Sequence, residues 1–259
     1  MKTAIITGAS SGMGREMVFL LADRFSGLEE IWVIARRRDR LEELLGQVPV
    51  RLQLFALDLT EAGAREAFRE ALEEKKPQVK FLVNAAGAGT PGLLEEIPPE
   101  KLTEEVRLNC EALTWMTRTV FPYMDRNSRI LQFASASAFM PQPGFAVYAA
   151  TKAYVLSFSR ALAAEGRARG IYVTAVCPGP VRTEFFSHME DGRSMASYKR
   201  FFMARPERVV KKALRDSMMG KEVSVYGFWM KGFWLLCGIL PHSLLAAAAM
   251  KLSGKNGNA

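Results

Sequence analysis

The segment Thr7-Gly8-Ala9-Ser10-Ser11-Gly12-Met13-Gly14 joins an apolar strand pattern, Met1 to Thr7, to a helical pattern, Arg15 to Phe25. Its glycines permit a tight turn and a close approach of the backbone to a ligand. The N-terminus of the following helix offers free N–H groups and the positive end of the helix dipole. This order of strand, glycine-rich turn and helix is typical of a segment that cradles phosphate groups, and an ordinary tight turn is the alternative.

The rest of the chain repeats the alternation of strand and helix. Six further strands are predicted, over residues 31–35, 51–57, 80–83, 129–134, 171–176 and 222–226. The alternation predicts an α/β fold with a parallel sheet and helices on both faces. No linker-like composition or internal repeat divides residues 1–225. We therefore expect one domain over residues 1–227, followed by an apolar C-terminal extension over residues 228–259.

The end of the second strand indicates which dinucleotide would bind. In dinucleotide-binding folds an acidic residue at this point holds the ribose 2′-OH of the adenosine. Here Ala35 occupies that position, and Arg36, Arg37 and Arg38 follow. Guanidinium groups pair well with phosphate, so the pattern favours NADP over NAD, with Arg36 as the first candidate and Arg37 as the second. The alternative is that the basic run begins an exposed helix.

Two further strand ends and one helix carry candidate residues. Asp58-Leu59 follows the third strand, and Asn84-Ala85-Ala86-Gly87 follows the fourth. Small residues at the carboxyl end of a strand suit a backbone that packs against a flat ligand. Asn109 lies in the middle of a helix predicted from Glu100 to Tyr123. Asparagine is unfavourable in a helix interior, so its presence there suggests a specific role. A purely structural hydrogen bond is the alternative to a functional role.

Tyr148 and Lys152 lie one turn apart on a helix predicted to continue to about Arg169. A phenol has an ordinary pKa of about 10, and a neighbouring ammonium lowers that pKa towards the range of a working general acid. The pair alone is weak evidence for catalysis, because the same spacing occurs on many amphipathic helices. Ser135, at the carboxyl end of the fifth strand, adds a third polar group.

Four motifs together resemble the short-chain dehydrogenase/reductase (SDR) family over about residues 1–227. They are T-G-x-x-x-G-x-G at 7–14, N-A-A-G at 84–87, Ser135 with Tyr148 and Lys152, and P-G-x-V-x-T at 178–183. The resemblance implies a single Rossmann-type, doubly wound parallel sheet of about seven strands. It also implies an NADP(H)-dependent oxidoreductase that acts on CH–OH donors and interconverts a secondary alcohol and a ketone.

The resemblance implies a role for each catalytic residue. Tyr148 would act as the general acid or base, and Lys152 would lower the pKa of Tyr148 and bind the nicotinamide ribose. Ser135 would hold the substrate oxygen, and Asn109 would support a proton relay behind Lys152. No metal is implied.

A larger set would contact the cofactor, with Asp58 at the adenine, Thr183 at the carboxamide, and Asn84 bracing either the central strands or the cofactor. The full set is Gly8, Ser10, Ser11, Gly12, Met13, Gly14, Arg36, Arg37, Asp58, Leu59, Asn84, Ala85, Ala86, Gly87, Tyr148, Lys152, Pro178, Gly179, Val181 and Thr183.

Composition limits the other functions. The 259 residues carry 35 Lys and Arg against 27 Asp and Glu, a net charge of +8, but no zinc spacing or basic and aromatic interleaving supports nucleic-acid binding. Cys110, Cys177 and Cys237 are far apart among apolar neighbours and read as buried reduced thiols. The N-terminus opens directly into a strand, so we expect no secretory signal and a cytoplasmic protein.

The extension over 228–250 has three open interpretations. Lys231 and Pro241-His242 interrupt it, whereas a transmembrane helix needs about 20 continuous apolar residues. It packs as core or as a subunit interface, forms a lid over the substrate, or lies on a membrane surface as a peripheral contact. Since SDR proteins often assemble through this end of the chain, the resemblance implies a homo-oligomer (dimer or tetramer), and this extension puts the usual interface in doubt.

The loops over 89–98, 139–145 and 183–205 would select the substrate, and they are rich in apolar side chains. These are Leu93, Leu94, Phe139, Met140, Phe145, Phe185, Phe186, Met189, Met195, Phe201 and Phe202. They suit a hydrophobic substrate, either steroid-like or acyl- and lipid-like, although several could simply pack the segment shut. The alternative function is a catalytically idle NADP-binding regulatory protein or a membrane-associated scaffold protein.

Overall fold

The computed structural model of the chain describes residues 1–185 and 203–252. Five side chains predicted to select the substrate therefore lie outside the described residues, namely Phe186, Met189, Met195, Phe201 and Phe202.

One parallel sheet of seven strands forms the centre of the molecule, in the order β3-β2-β1-β4-β5-β6-β7. The order reverses beside β1, which is the doubly wound arrangement. The strands are β1 (Lys2–Thr7), β2 (Glu30–Ala35), β3 (Arg51–Ala56), β4 (Gln78–Asn84), β5 (Met124–Phe133), β6 (Tyr172–Val176) and β7 (Val223–Ser224). The predicted fold class is confirmed.

Helices connect the strands and cover the sheet. Those of the described residues are α1 (Gly12–Arg24), α2 (Arg38–Glu42), α3 (Ala62–Lys75), α4 (Pro99–Val106), α5 (Leu113–Val120), α6 (Ala146–Arg167), α7 (Pro206–Met218), α8 (Phe228–Ile239) and α9 (His242–Leu252).

Successive residues of the central strand point to opposite faces of the sheet, and each face has its own apolar cluster. Ile6 joins a cluster that contains Val18 of α1 and Val210 of α7. Ile5 joins a second cluster that contains Phe68 of α3 and Met116 of α5. Both faces are therefore buried under helices, which explains why the strands read as continuous apolar runs.

One local prediction needs correction. The first helix begins at Gly12, so the last glycines of the turn form its first turn instead of preceding it. The third helix begins at Ala62 after Glu61, so Thr60 lies just before it and outside the cap position. The backbone N–H and the hydroxyl of Thr60 donate instead to the carboxylate of Asp58, at 2.9 and 2.7 Å.

The predicted helix from Glu100 to Tyr123 is present but not uniform. Its middle, Arg107–Ala112, is a π-helical turn between α4 and α5, and a short 3₁₀ turn, Phe121–Tyr123, ends it. A π turn holds one more residue than an α-helical turn and occurs often at functional sites. Asn109 lies inside it.

The C-terminal extension forms α8 and α9, separated at Leu240-Pro241. One face of α8 packs on a third apolar cluster, where Phe233 and Trp234 contact Phe139 with ring centroids 6.4 and 6.0 Å apart, and Cys237 is buried. None of the described helices is long and apolar enough to cross a bilayer.

Candidate active site

A cleft of about 530 Å³ lies at the carboxyl ends of the central strands, where ligands bind in open α/β sheets. Nearly every residue predicted to contact a cofactor lines it. The exception is Asn84, which is buried between the strands and donates to Thr117 and to Gln132 at 3.0 and 2.9 Å. These contacts favour one of the two roles predicted for Asn84, namely that it braces the central strands.

The glycine-rich turn leaves no room for side chains. A Cβ on Gly8 would lie 2.7 Å from the backbone nitrogen of Ala86, and Gly8 adopts a φ of +69°, which favours glycine. A Cβ on Gly14 would lie 2.2 Å from the carbonyl oxygen of Gly8. The backbone of the turn thus packs directly on the start of α1 and on the residues after β4, which produces a smooth cradle of N–H groups.

Two arginines border the far end of the cleft. Arg37 donates to the hydroxyl of Ser10 at 3.3 Å and to the carboxylate of Glu184 at 2.8 Å. Arg36 lies 3.6 Å from Asp58 and 3.4 Å from Glu104, and its side chain is 63% exposed. Of the two, Arg37 is the one in contact with the glycine-rich turn.

The carboxylate of Asp58 is kept ionised at the edge of the cleft. Burial acts to raise its pKa, but the hydrogen bonds from Thr60 and the charge of Arg36 outweigh this and hold the pKa below its usual value. Leu59, Ala85 and Ala86 complete the wall beside it.

Ser135 and Tyr148 meet at the other end of the cleft. Ser135 lies two residues after the end of β5 at Phe133, and Phe133 and Ala134 also line the cleft. The hydroxyl of Ser135 accepts from the backbone N–H of Ser137 at 3.1 Å, and its interaction with the phenol of Tyr148 acts to lower the pKa of that phenol. Ser137 itself is turned away, with its hydroxyl on Gln142.

Lys152 lies behind the tyrosine. Its ammonium donates to the carbonyl of Phe133 at 2.9 Å and lies 5.5 Å from the centre of the Tyr148 ring. Burial lowers the pKa of Lys152 to about 8. Gly87 allows this approach, because a Cβ there would lie 3.1 Å from both the Lys152 nitrogen and the amide oxygen of Asn109.

The expected lowering of the Tyr148 pKa by Lys152 is not found in this structure. Burial is the largest influence and raises the pKa of Tyr148 above its usual value, and the hydrogen bond to Ser135 opposes it only in part. The ring is only 7% exposed and stacks on Phe145, with centroids 4.2 Å apart. The ammonium of Lys152 meanwhile points to the Phe133 carbonyl, so the phenol retains its proton here.

Asn109 is fully buried and holds the loop beside Lys152. Its amide nitrogen donates to the carbonyl of Ala88 at 2.8 Å and to the hydroxyl of Thr151 at 3.0 Å, and its oxygen accepts from the N–H of Ala88 at 2.9 Å. These bonds tie the π turn to the residues after β4 and to α6.

The segment after β6 forms the remaining wall. Pro178, Gly179, Val181 and Thr183 all line the cleft, and the methyl of Thr183 would meet a Cβ on Gly12 at 3.1 Å. Gly179 is covered from outside by Met230 of α8, whose sulfur would lie 2.8 Å from a Cβ at that position.

Glu105 was not predicted and is the clearest addition. It is 1% exposed, one oxygen accepts from the N–H of Thr90 at 3.1 Å, and the other has no hydrogen-bond partner. Burial raises the pKa of Glu105 to about 7, although the Thr90 bond and the charge of Lys152 oppose the rise. Its spacing of four residues before Asn109 was the available signal, because that spacing puts both side chains on one helix face.

Glu184 and Phe185 also line the cleft and were not predicted as cofactor contacts. The hydrogen bond from Arg37 holds the pKa of Glu184 below its usual range, and Ser11 is a second partner. The Phe185 ring lies 5.6 Å from the Tyr148 ring.

Several residues predicted to meet the substrate have other positions. Phe139 and Met140 are 6% and 9% exposed and belong to the cluster under α8, so they pack the segment shut. Leu94 is 65% exposed. Among the described members of this set, Phe145 and Phe185 have rings that contact the ring of Tyr148.

The three cysteines are free; Cys177 and Cys237 are buried as predicted, whereas Cys110 is half-buried. Within residues 1–185 and 203–252, no group of three His, Cys, Asp or Glu side chains is placed to hold a metal ion.

Comparison with known proteins agrees with this geometry. A very-long-chain 3-oxoacyl-CoA reductase-like protein of Arabidopsis thaliana is 30% identical over 254 residues, which cover 93% of this chain and 78% of the relative. The short-chain dehydrogenase of Sphingobium yanoikuyae in complex with NADPH is 26% identical and aligns over 100% of this chain and 98% of its own, with a TM-score of 0.77. A 3-ketoacyl-(acyl-carrier-protein) reductase of Brucella melitensis, complexed with NADH, is 28% identical over 86% of this chain and 95% of its own, with a TM-score of 0.75.

The short chain dehydrogenase family itself matches residues 2–194, three quarters of the chain. This match covers the glycine-rich turn, the N-A-A-G segment and the residues around Tyr148, which together form the cleft. The chain therefore belongs to the short-chain dehydrogenase family of oxidoreductases.

Proposed function

We propose that the protein is an NADP(H)-dependent oxidoreductase that interconverts a secondary alcohol and a ketone on a hydrophobic, acyl- or lipid-like substrate, with a steroid-like ketone as the second choice. One observation carries the proposal: the Ser135–Tyr148–Lys152 group lies at one end of a single cleft whose other end holds the glycine-rich turn and Arg37. The solved relatives carry NADPH or NADH, and two relatives are named as 3-oxoacyl reductases.

The residues present fit a nicotinamide dinucleotide. Gly8 and Gly14 exclude side chains from the cradle, and a diphosphate needs such a close approach to backbone N–H groups. Arg36 and Arg37 would supply guanidinium groups to the extra phosphate of NADP, while Asp58 and Leu59 would border the adenine. Thr183 would hold the carboxamide, and Lys152 the nicotinamide ribose. When bound, the cofactor supplies or accepts a hydride at the substrate carbon.

The chain's own residues would manage the proton. Tyr148 keeps its proton in the buried site, so it is ready to donate to a carbonyl oxygen as negative charge develops there. The hydroxyl of Ser135, which lines the same cleft as the phenol, would hold that oxygen in place. Lys152, whose pKa is lowered to about 8, can exchange a proton near neutral pH. Asn109 and Glu105 would position the loop that faces this ammonium.

Substrate class is supported by apolar rings around the tyrosine. Phe145 stacks on the Tyr148 ring and Phe185 approaches it from the cleft. Rings at this position exclude water and favour a hydrophobic ketone over a small polar one. A homo-oligomer and a cytoplasmic location remain predictions from the sequence.

Turnover of NADPH against 3-oxoacyl thioesters of graded chain length, steroid ketones and small ketones tests the proposal. We expect the long acyl substrates to react fastest and Tyr148→Phe to lower kcat about 100-fold or more, with NADPH affinity retained. An unchanged rate in the variant would show that Tyr148 is not the proton donor. NADPH binding without turnover of any ketone would favour the idle regulatory protein.

Cofactor choice has a separate test. Arg37→Ala and Arg36→Ala should each weaken NADPH binding about 10-fold or more while NADH affinity changes little, because charge-assisted hydrogen bonds contribute about 1.5–3 kcal/mol. Contact with Ser10 makes Arg37 the stronger candidate. Equal losses for the two cofactors would contradict the assignment to the extra phosphate.

A further inference from the structure

Apart from Lys231, helix α8 is apolar on every side, although among the described residues only one side is covered. Met230, Phe233, Trp234 and Cys237 recur at helical spacing and pack on the domain. A helix that is apolar all round normally lies in a core or in contact with lipid. The covered face therefore accounts for four of the 12 residues of α8, and the outer face needs an explanation of its own.

The outer face is a strip of large apolar side chains, here called the outer strip. Its centre is Phe228, Leu235 and Ile239, which are 83%, 65% and 79% exposed. Trp229 and Leu236 flank it at 73% and 47% exposed. Contiguous exposed apolar side chains of this size mark an interaction surface, whereas single ones do not.

Charge indicates what covers the strip. No Asp or Glu occurs after Glu222, whereas the same stretch carries Lys231, Lys251 and Lys255, the last of these beyond the described residues. The chain as a whole has a net charge of +8. If two copies met through this face, their lysines would meet with no carboxylate from the same segment to pair with them. An anionic surface pairs with them directly.

Dimensions and residue types fit the surface of a bilayer. The 12 residues of α8 span about 18 Å, which is shorter than the roughly 30 Å hydrocarbon core, so the helix suits the plane of the interface. Tryptophan and phenylalanine at one end, with lysine beside the apolar strip, are the residues that interfacial helices present to headgroups and acyl chains.

We propose that the outer strip of α8 docks the protein on an anionic lipid surface. Met230, on the opposite face of the same helix, packs on Gly179 of the cleft wall. Docking therefore holds the cleft wall one helix diameter from the acyl chains, from which a lipid-like substrate would arrive. This last step rests on the proposed function, whereas the docking itself does not.

Co-sedimentation of the full chain with vesicles tests the docking. We expect binding to vesicles of phosphatidylcholine with about 30% phosphatidylserine and much weaker binding to phosphatidylcholine alone. The triple variant Phe228→Ser, Leu235→Ser and Ile239→Ser should lower the partition coefficient at least 10-fold. Met219→Ser is the matched control, because Met219 is 65% exposed like Leu235 but lies after α7, and it should bind as the wild type does.

Each other outcome overturns the proposal. Absence of wild-type binding to anionic vesicles does so, as does equal binding by the triple variant. Sedimentation velocity without lipid adds a third: if the triple variant changes from dimer to monomer while vesicle binding stays constant, the strip is an interface between two copies. Turnover of a short, water-soluble ketone should be unchanged in the triple variant, so failure of the docking and failure of the proposed function are separable.

Discussion

Two helices contain glycines in opposite surroundings. In α1, a Cβ on Gly14 would lie 2.2 Å from the Gly8 carbonyl oxygen, whereas a Cβ on Gly232 in α8 would meet nothing within 4 Å. The first region is specified by contacts within the chain, because its backbone segments touch one another. The outer side of the second region meets no such constraint. Its residues therefore have to be explained by what approaches from outside.

The largest effect that tests this contrast comes from adding one methyl group in each region. Gly14→Ala should destabilise the fold by about 3 kcal/mol and abolish cofactor binding, since the backbone must move to relieve the clash. Gly232→Ala should stabilise the protein by about 0.5–1 kcal/mol, because alanine loses less backbone entropy in a helix. Urea unfolding and cofactor titration measure both. Destabilisation by Gly232→Ala would mean that the outer side of α8 is already occupied.

The two faces of α8 provide the second test. Trp234→Ala should lower the free energy of unfolding by about 2–3 kcal/mol, because its ring stacks on Phe139 within the third cluster. Leu235→Ala, on the next residue but the outer face, should change it by less than about 0.5 kcal/mol. Equal losses in urea unfolding would contradict the division of α8 into a packed and an open face.

A third test concerns the buried carboxyl of Glu105, whose pKa the charge of Lys152 influences. Burial raises the pKa of Glu105 to about 7 from its ordinary 4.5, so between these values the folded state holds a proton that the unfolded state has released. The stability that Glu105 contributes therefore falls as pH rises through this window, by on the order of 2 kcal/mol. Unfolding measured against pH should show this fall in the wild type relative to Glu105→Gln, which keeps the acceptor for Thr90. Glu100→Gln, in the first turn of the same helix, is the control for the change in charge, and parallel curves for wild type and Glu105→Gln would contradict the prediction.

The smallest expected effect is at the edge of the cleft. Glu184 accepts from Arg37 and would compete with the extra phosphate of NADP for the same guanidinium. Glu184→Gln should therefore tighten NADPH binding about threefold to tenfold and leave NADH binding unchanged, as measured by fluorescence titration. Weaker NADPH binding would mean that Glu184 holds Arg37 in its binding position instead.

The cleft could be predicted to this extent because its determinants are local. Gly8, Gly12 and Gly14 follow a strand, and Ser135 follows another, so the parallel sheet alone brings them to one edge. The strand and helix alternation predicted the sheet for the same reason. The features that the sequence did not predict depend on which distant segments of the chain pack together.

Glu105 is a charged residue whose burial could not be predicted from the sequence. Its neighbours Glu100, Lys101 and Glu104 belong to a solvated helix face, whereas Glu105 is buried and accepts a hydrogen bond from the backbone of Thr90, fifteen residues earlier. The pKa of Tyr148 has the same origin, because burial, which sequence spacing does not reveal, outweighs the nearby ammonium.

Phe139 is an apolar residue whose contacts could not be predicted from the sequence. Its position in a loop after a strand predicts a substrate contact, but Phe233 and Trp234, about 95 residues later, arrive to cover it. The apolar character of a residue does not reveal whether its side chain will contact a substrate or another part of the chain.

The π turn at Arg107–Ala112 has a consequence for how this chain tolerates change. Glu105 before it and Asn109 within it face the loop beside Lys152, whereas Met116 and Val120 after it face the sheet. One extra residue in the turn sets the angular phase between these two faces. Removing a single residue there would rotate everything after it by about 100° relative to everything before it. The chain would then lose either the hydrogen bonds by which Asn109 holds the loop or the packing of α5 on the core. We therefore expect this helix to tolerate replacement of individual side chains better than insertion or deletion of a residue.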